Sequence, residues 1–181
     1  VINKVCSGGN VRLINRTMVW RMSRQVLESG RFGISKHAYL DSNSPRIRNL
    51  HAYILYVLSE VGQVDLDRAL DFSLRIAEQT EDPYFLALTS ITCQNMARKE
   101  EATRLLKRLK EHLRTMRLDF LKESSMPLRS YGSSQQVQVA AYVAIALMRE
   151  EAINYDYLAT LISFIRSHKR GSGTFGSTQT T

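Results

Sequence analysis

The chain has 181 residues, of which 44% are apolar and only three are proline, and it carries a formal net charge of +8. That length suits one domain with a real core, and no apolar run approaches the ~18 residues needed to cross a bilayer. Two cysteines, Cys6 and Cys93, exclude a disulfide framework, and no Cys-x-x-Cys or His-x-x-x-His pair offers zinc a ligand set.

The start, Val-Ile-Asn-Lys-Val-Cys, lacks the charged segment and apolar core of a signal peptide. Residues 1–15 are expected to be irregular, with Cys6 exposed in a Ser/Gly/Asn-rich stretch. Residues 16–29 predict a helix with a weak apolar stripe of Met18, Val19, Met22 and Val26. Gly30-Arg-Phe-Gly33 follows as a corner, where glycine permits positive φ and the phenylalanine can plug the end of the core. Residues 33–47 are expected to be a loop. Residues 48–61 predict a helix with Leu50, Tyr53, Ile54, Val57, Leu58 and Val61 on one stripe. Its other sides carry Ala52, Leu55 and Tyr56, so it should be buried nearly all round.

Residues 65–79 then predict a one-sided helix, with Leu66, Ala69, Leu70, Leu74 and Ala77 inward and Asp65, Asp67, Arg68, Arg75 and Glu78 outward. Residues 84–97 return to the all-round apolar texture, less purely, and place Cys93 as a small buried hydrophobe. Residues 99–116 are one-sided again, along Ala102, Leu105, Leu106, Leu109, Leu113 and Met116. The basic residues between Arg98 and Arg117 ring the opposite face, with Glu100 and Arg104 spaced for an i,i+4 pair. No aromatics interleave with them, so they predict a solvated face and no nucleic-acid partner. Residues 117–134 are expected to be irregular. Residues 137–148 predict a third all-round apolar helix, and residues 154–169 a one-sided one using Tyr157, Leu158, Leu161, Ile162 and Ile165. Residues 170–181 are expected to be irregular; they end with Ser177-Thr178, which has the form of a helix N-cap. A cap with no helix behind it predicts that the chain is a piece of something longer.

Helices buried all round thus alternate with half-buried ones. A double-layered ring of helical hairpins requires this sorting, so the predicted fold is all-α, an α/α toroid with an incomplete ring, spanning residues 1–181 as a single partial domain. Weak repetition agrees: Ala52-Tyr53 with Leu58 recurs as Ala141-Tyr142 with Leu147, and Gly30-Arg-Phe-Gly33 recurs as Gly173-Thr-Phe-Gly176. Inner-helix surface left open by an incomplete ring predicts self-association.

Gly173-Thr-Phe175-Gly176-Ser177-Thr178-Gln179 resembles the glycine-rich turn entering Ser-Thr-Gln in the thioester-containing domain of the α-macroglobulin and complement family. Gln138-Val-Ala-Ala-Tyr-Val-Ala-Ile-Ala-Leu147 is similar to the inner helix before that turn, and Leu50 to Leu58 to an earlier one. The resemblance implies an α/α toroid in a large, non-enzymatic protease trap or opsonin, extracellular or periplasmic, without cofactor or metal. It implies as partners the other domains of the same parent chain, and target proteases or surface hydroxyl and amine groups reached through the parent. The family's thioester joins a cysteine to a glutamine in Cys-Gly-Glu-Gln. Neither Cys6-Ser-Gly-Gly-Asn nor Cys93-Gln94 matches, so the motif either precedes residue 1 or has been lost. Some relatives use a loop histidine after the first Gly-Phe turn to attack the thioester, and His37 lies in the comparable loop, at a different offset. Imidazole suits that role as a nucleophile unprotonated near neutral pH.

Two other readings are open to the residues. Arg98-Lys-Glu-Glu-Ala-Thr-Arg-Leu-Leu suits a tetratricopeptide-type protein-binding scaffold, although no constant period near 34 residues is kept. A prenyltransferase or terpene cyclase would need a zinc set or aspartate-rich motif; Asp65-Leu-Asp67 fits better as acid at a helix N-terminus. His51 is expected to cap or pack, and His112 and His168 to lie near helix ends, where a cation suits the dipole.

Overall fold

The computed structural model describes residues 29–32, 44–62, 65–114, 118–125, 127, 132–169 and 174–175. Among them the protein is all-helical: α1 (Pro45–Glu60), α2 (Asp67–Ala77), α3 (Pro83–Asn95), α4 (Lys99–Arg114), α5 (Ser133–Met148) and α6 (Tyr155–Ser167), with a 3-10 turn at Asp119–Lys122. No described helix is long and apolar enough to cross a membrane. The predicted helix over 16–29 lies largely outside the described residues.

Local chemistry fixes several ends. Proline occupies the first turn of both α1 and α3, where its missing N–H is no loss and its φ is already helical. Asn154 caps α6, its side-chain oxygen accepting from the N–H groups of Asp156 and Tyr157. α3 ends in a Schellman turn, with Arg98 N–H donating to Cys93 O and Ala97 N–H to Gln94 O. That turn needs a left-handed residue, and here it is Ala97, at φ 58°. Glycine would adopt this φ without the Cβ penalty, so Ala97→Gly should raise stability by ~0.5–1 kcal/mol, measured by urea unfolding.

The helices form two layers. α1, α3 and α5 pack side by side with α3 in the middle, while α2 and α4 lie chiefly on α3, and α6 on α5. α3 is the most enclosed element: every residue from Pro83 to Cys93 is buried. At ~1.5–3 kcal/mol for each large apolar side chain fully removed from water, Phe85, Leu86, Leu88 and Ile91 make it the anchor of the core. Of its buried polar side chains, Thr92 turns back onto Leu88 O at 2.9 Å, whereas Thr89 Oγ1 and the Tyr84 hydroxyl have no hydrogen-bond partner among the described residues.

Several sequence expectations are corrected. The helix over 84–97 is not the least purely buried of its kind but the most, because it has neighbours on three sides. α1 buries a different stripe from the one expected: Ile47, His51, Ala52, Leu55 and Leu58 are inside, while Leu50, Tyr53, Ile54 and Val57 are half-buried. An all-round apolar helix offers no pattern from which to choose the face. On α6, Ile162 is 45% exposed and only Leu158 and Leu161 are buried. The loop expected over 33–47 ends early, since α1 already begins at Pro45. α5 starts at Ser133, after Gly132 turns the chain at φ 61°. Glu100 and Arg104 form no ion pair among the described residues; Arg98 takes Glu101 instead and also reaches Asp71 at 3.5 Å.

Candidate functional site

Two polar assemblies hold the buried row, one at each end. Asp82 is the N-cap of α3, and its Oδ1 accepts from the N–H groups of Tyr84 at 3.0 Å and Phe85 at 3.4 Å. The same oxygen accepts from the Ser124 hydroxyl at 2.7 Å. Its other oxygen accepts from Asn49 of α1 at 2.7 Å and from the Ser125 N–H at 3.2 Å. Asn49 also donates to Ser125 O at 2.7 Å, and Gln135, in the first turn of α5, donates to Ser124 O. One carboxylate thus gathers the N-terminal ends of α1 and α3, and the segment leading into α5, where helix dipoles favour negative charge.

The opposite end holds an ion pair. Glu60 ends α1, Asn95 ends α3 and Arg149 is the C-cap of α5. Arg149 pairs with Glu60 at 2.7 Å and donates to Asn95 Oδ1 at 2.7 Å, while Asn95 donates to Glu60 at 3.0 Å and to the Ser59 hydroxyl at 2.9 Å. Partial burial works against the Glu60 carboxylate, but hydrogen bonds from Asn95 and Arg149 outweigh it and lower its pKa. With all three starts at one end and all three finishes at the other, α1, α3 and α5 run parallel.

Of the Gly30-Arg-Phe-Gly33 corner, residues 30–32 take the form that the sequence predicts, and Gly33 lies outside the described residues. Gly30 has φ 74°, and a Cβ there would lie 2.0 Å from the Arg68 carbonyl oxygen of α2, so no other residue fits. Phe32 is buried against His51, with ring centroids 4.8 Å apart, and Phe72 meets the imidazole edge-on at 5.0 Å. The Phe32 N–H donates to His51 Nδ1 at 3.4 Å, which assigns the remaining ring proton to Nε2, 3.4 Å from Ala69 O. Burial lowers the His51 pKa to about 4, against a weaker opposing effect of Ala69 and with Arg31 adding to the depression. His51 is therefore a neutral packing residue that joins the corner to α1 and α2, and it caps nothing.

The second corner is described only at Thr174 and Phe175: Phe175 is half-buried, and its carbonyl accepts from the Ser134 hydroxyl in the first turn of α5 at 3.0 Å. Cys6, His37, Gly173, Gly176, Ser177, Thr178 and Gln179 lie outside the described residues. Cys93 is buried, and that burial pushes its thiol up to about 12, so it behaves as a packing residue rather than a nucleophile. Both remaining histidines lie at helix ends: His112, in the last turn of α4, stacks on Phe120 at 5.3 Å and faces Glu81 at 3.3 Å, and His168 closes α6, with Nδ1 2.9 Å from Phe164 O. Among the described residues, no cluster of three His, Cys, Asp or Glu side chains is placed to hold a metal ion.

Along the row, Tyr84 and Tyr142 meet edge-on at 5.4 Å and Tyr142 meets Tyr56 at 5.6 Å. Burial raises the pKa of all three phenols. Sequence reasoning missed Asp82, although Asp-Pro before an apolar run is an N-cap signal. No local signal marks Asn49, Ser124 or Asn95, whose partners are distant in the chain. Compared with protein-family models, curated proteins and solved structures, the chain matches none.

Proposed function

We propose that this chain forms part of the thioester-containing domain of an α-macroglobulin-like protein, a non-enzymatic element of a protease trap or opsonin. The observation that carries the reading is the parallel row of buried helices, α1, α3 and α5, alternating with one-sided helices packed against it. An α/α toroid is built from that unit, and the Gly30–Phe32 corner adds a feature expected of its turns. A tetratricopeptide solenoid also has two layers, but the row helices start at Pro45, Pro83 and Ser133, at unequal intervals rather than a constant repeat.

In this reading the domain shields an internal thioester, then presents it to amines or hydroxyls after a conformational change. The nucleophile attacks the acyl carbon, an amide or ester forms, and the cysteine sulfur leaves as a free thiol. His37 is the proposed intermediate nucleophile. The test is methylamine treatment of the full-length protein, followed by thiol titration and intact mass. One new thiol and one methylamine adduct per chain are expected. Silence both before and after denaturation would refute covalent trapping and leave steric entrapment.

A further inference from the structure

The three helices of the second layer do not present the same surface. α2 shows solvent Asp67, Arg68, Asp71 and Arg75, and α4 shows Lys99, Glu100, Arg104, Lys107 and Arg114. α6 differs. Tyr155 is 74% exposed and Ile162 is 45% exposed, with exposed Ala159 between them and exposed Arg166 beyond. At 100° per residue these four positions fall within about 60° of one another, so they form one stripe along the helix. Neither Tyr155 nor Arg166 has a side-chain partner among the described residues.

The stripe is complementary to itself. Its members are spaced i, i+4, i+7 and i+11, an order symmetric about the midpoint between Thr160 and Leu161. Laid antiparallel on a second copy, Ala159 meets Ile162, small against large, and Tyr155 meets Arg166, an aromatic face against a guanidinium. Charge agrees: the N-terminal end carries Asp156 and the C-terminal end Arg166 and Lys169, so each end of one helix faces the opposite sign on the other. A two-fold contact requires such self-complementarity, in which i meets j and j meets i.

We infer that α6 pairs with α6 of a second copy of this chain, antiparallel, through Tyr155, Ala159, Ile162 and Arg166. The inference is independent of the proposed function, and it assigns self-association to the second layer rather than to the open edges of the buried row. A contact confined to one helix pair is small, and small interfaces belong to transient complexes, so the equilibrium is reversible.

Sedimentation equilibrium over a wide concentration range tests it on the full 181-residue chain. A monomer–dimer equilibrium is expected, with Ile162→Lys and Arg166→Glu each raising the dissociation constant at least about tenfold. Lys107→Glu, the same change of charge on the outward face of α4, is expected to leave it unchanged. Helical circular dichroism should remain intact in all three, since the substituted side chains are exposed. A monomer at every concentration would overturn the proposal. So would association that survives Ile162→Lys, that falls equally with Lys107→Glu, or that grows beyond the dimer.

Discussion

Asp82→Asn is expected to lower the folding free energy by ~3 kcal/mol, measured by urea unfolding at neutral pH. Asparagine and aspartate are equivalent as N-caps, so a residue that only capped α3 would tolerate the change. Asp82 does more than cap, because its Oδ2 accepts from the Asn49 amide and the Ser125 N–H, both donors. An asparagine NH2 placed there would set donor against donor, and turning the amide over would give the same conflict to the Tyr84 and Phe85 N–H groups. At ~1.5–3 kcal/mol for each hydrogen bond to a charged group, even two lost partners far exceed the cap. Asp82→Ala, which removes the shared acceptor and leaves Asn49 only Ser125 O and the Tyr84 N–H only Ser124 Oγ, should cost more, ~4 kcal/mol. A loss below ~1 kcal/mol for Asp82→Asn would mean that the assembly gathering α1, α3 and α5 contributes little beyond the cap.

The second large effect is a loss of stability on acidification through His51. Its folded pKa, about 4, lies below its ordinary value of 6.5, so the unfolded chain binds the proton first. The contribution is whole above pH 6.5, falls as the pH drops toward 4, and is then exhausted. Over that window the shift corresponds to about 3 kcal/mol, at ~1.4 kcal/mol per pH unit. Protonation would turn Nδ1 from the acceptor of the Phe32 N–H into a donor facing it, and charge a buried ring in contact with Phe32 and Phe72. His51→Gln retains a donor and an acceptor but does not titrate, so its stability profile should be flatter than the wild type's between about pH 6.5 and 5. Parallel profiles would show that His51 takes up no proton across this range in the unfolded chain alone. Following its imidazole resonance in the folded protein provides the direct check.

Both effects depend on residues that the sequence marks only faintly. Asp82 stands before Pro83 in an ordinary capping position, and nothing nearby in the chain foretells that Asn49 and Ser124 converge on it. His51 belongs to an apolar helix, where its neighbours in sequence do not reveal that Phe32 and Ala69 satisfy its two nitrogens. The Gly30-Arg-Phe corner was legible because it is local: a positive φ demands glycine, and an aromatic beside it demands burial. The choice of glycine at residue 30 has a second reason that was not legible, the approach of the Arg68 carbonyl from α2.

By itself the sequence determined that this protein is helical and where six of its helices lie to within a few residues. Those properties follow from periodicity, proline and capping chemistry, all of which act within a few residues. Tertiary structure alone decided which face of α1 is buried, since Leu50 and Leu55 are equally apolar and only the position of α3 separates them. It also decided that the buried helices run parallel, because Asp82 and Arg149 complement dipoles of helices far apart in the chain. Periodicity records how one helix divides between core and solvent; it carries no record of which other helix does the covering.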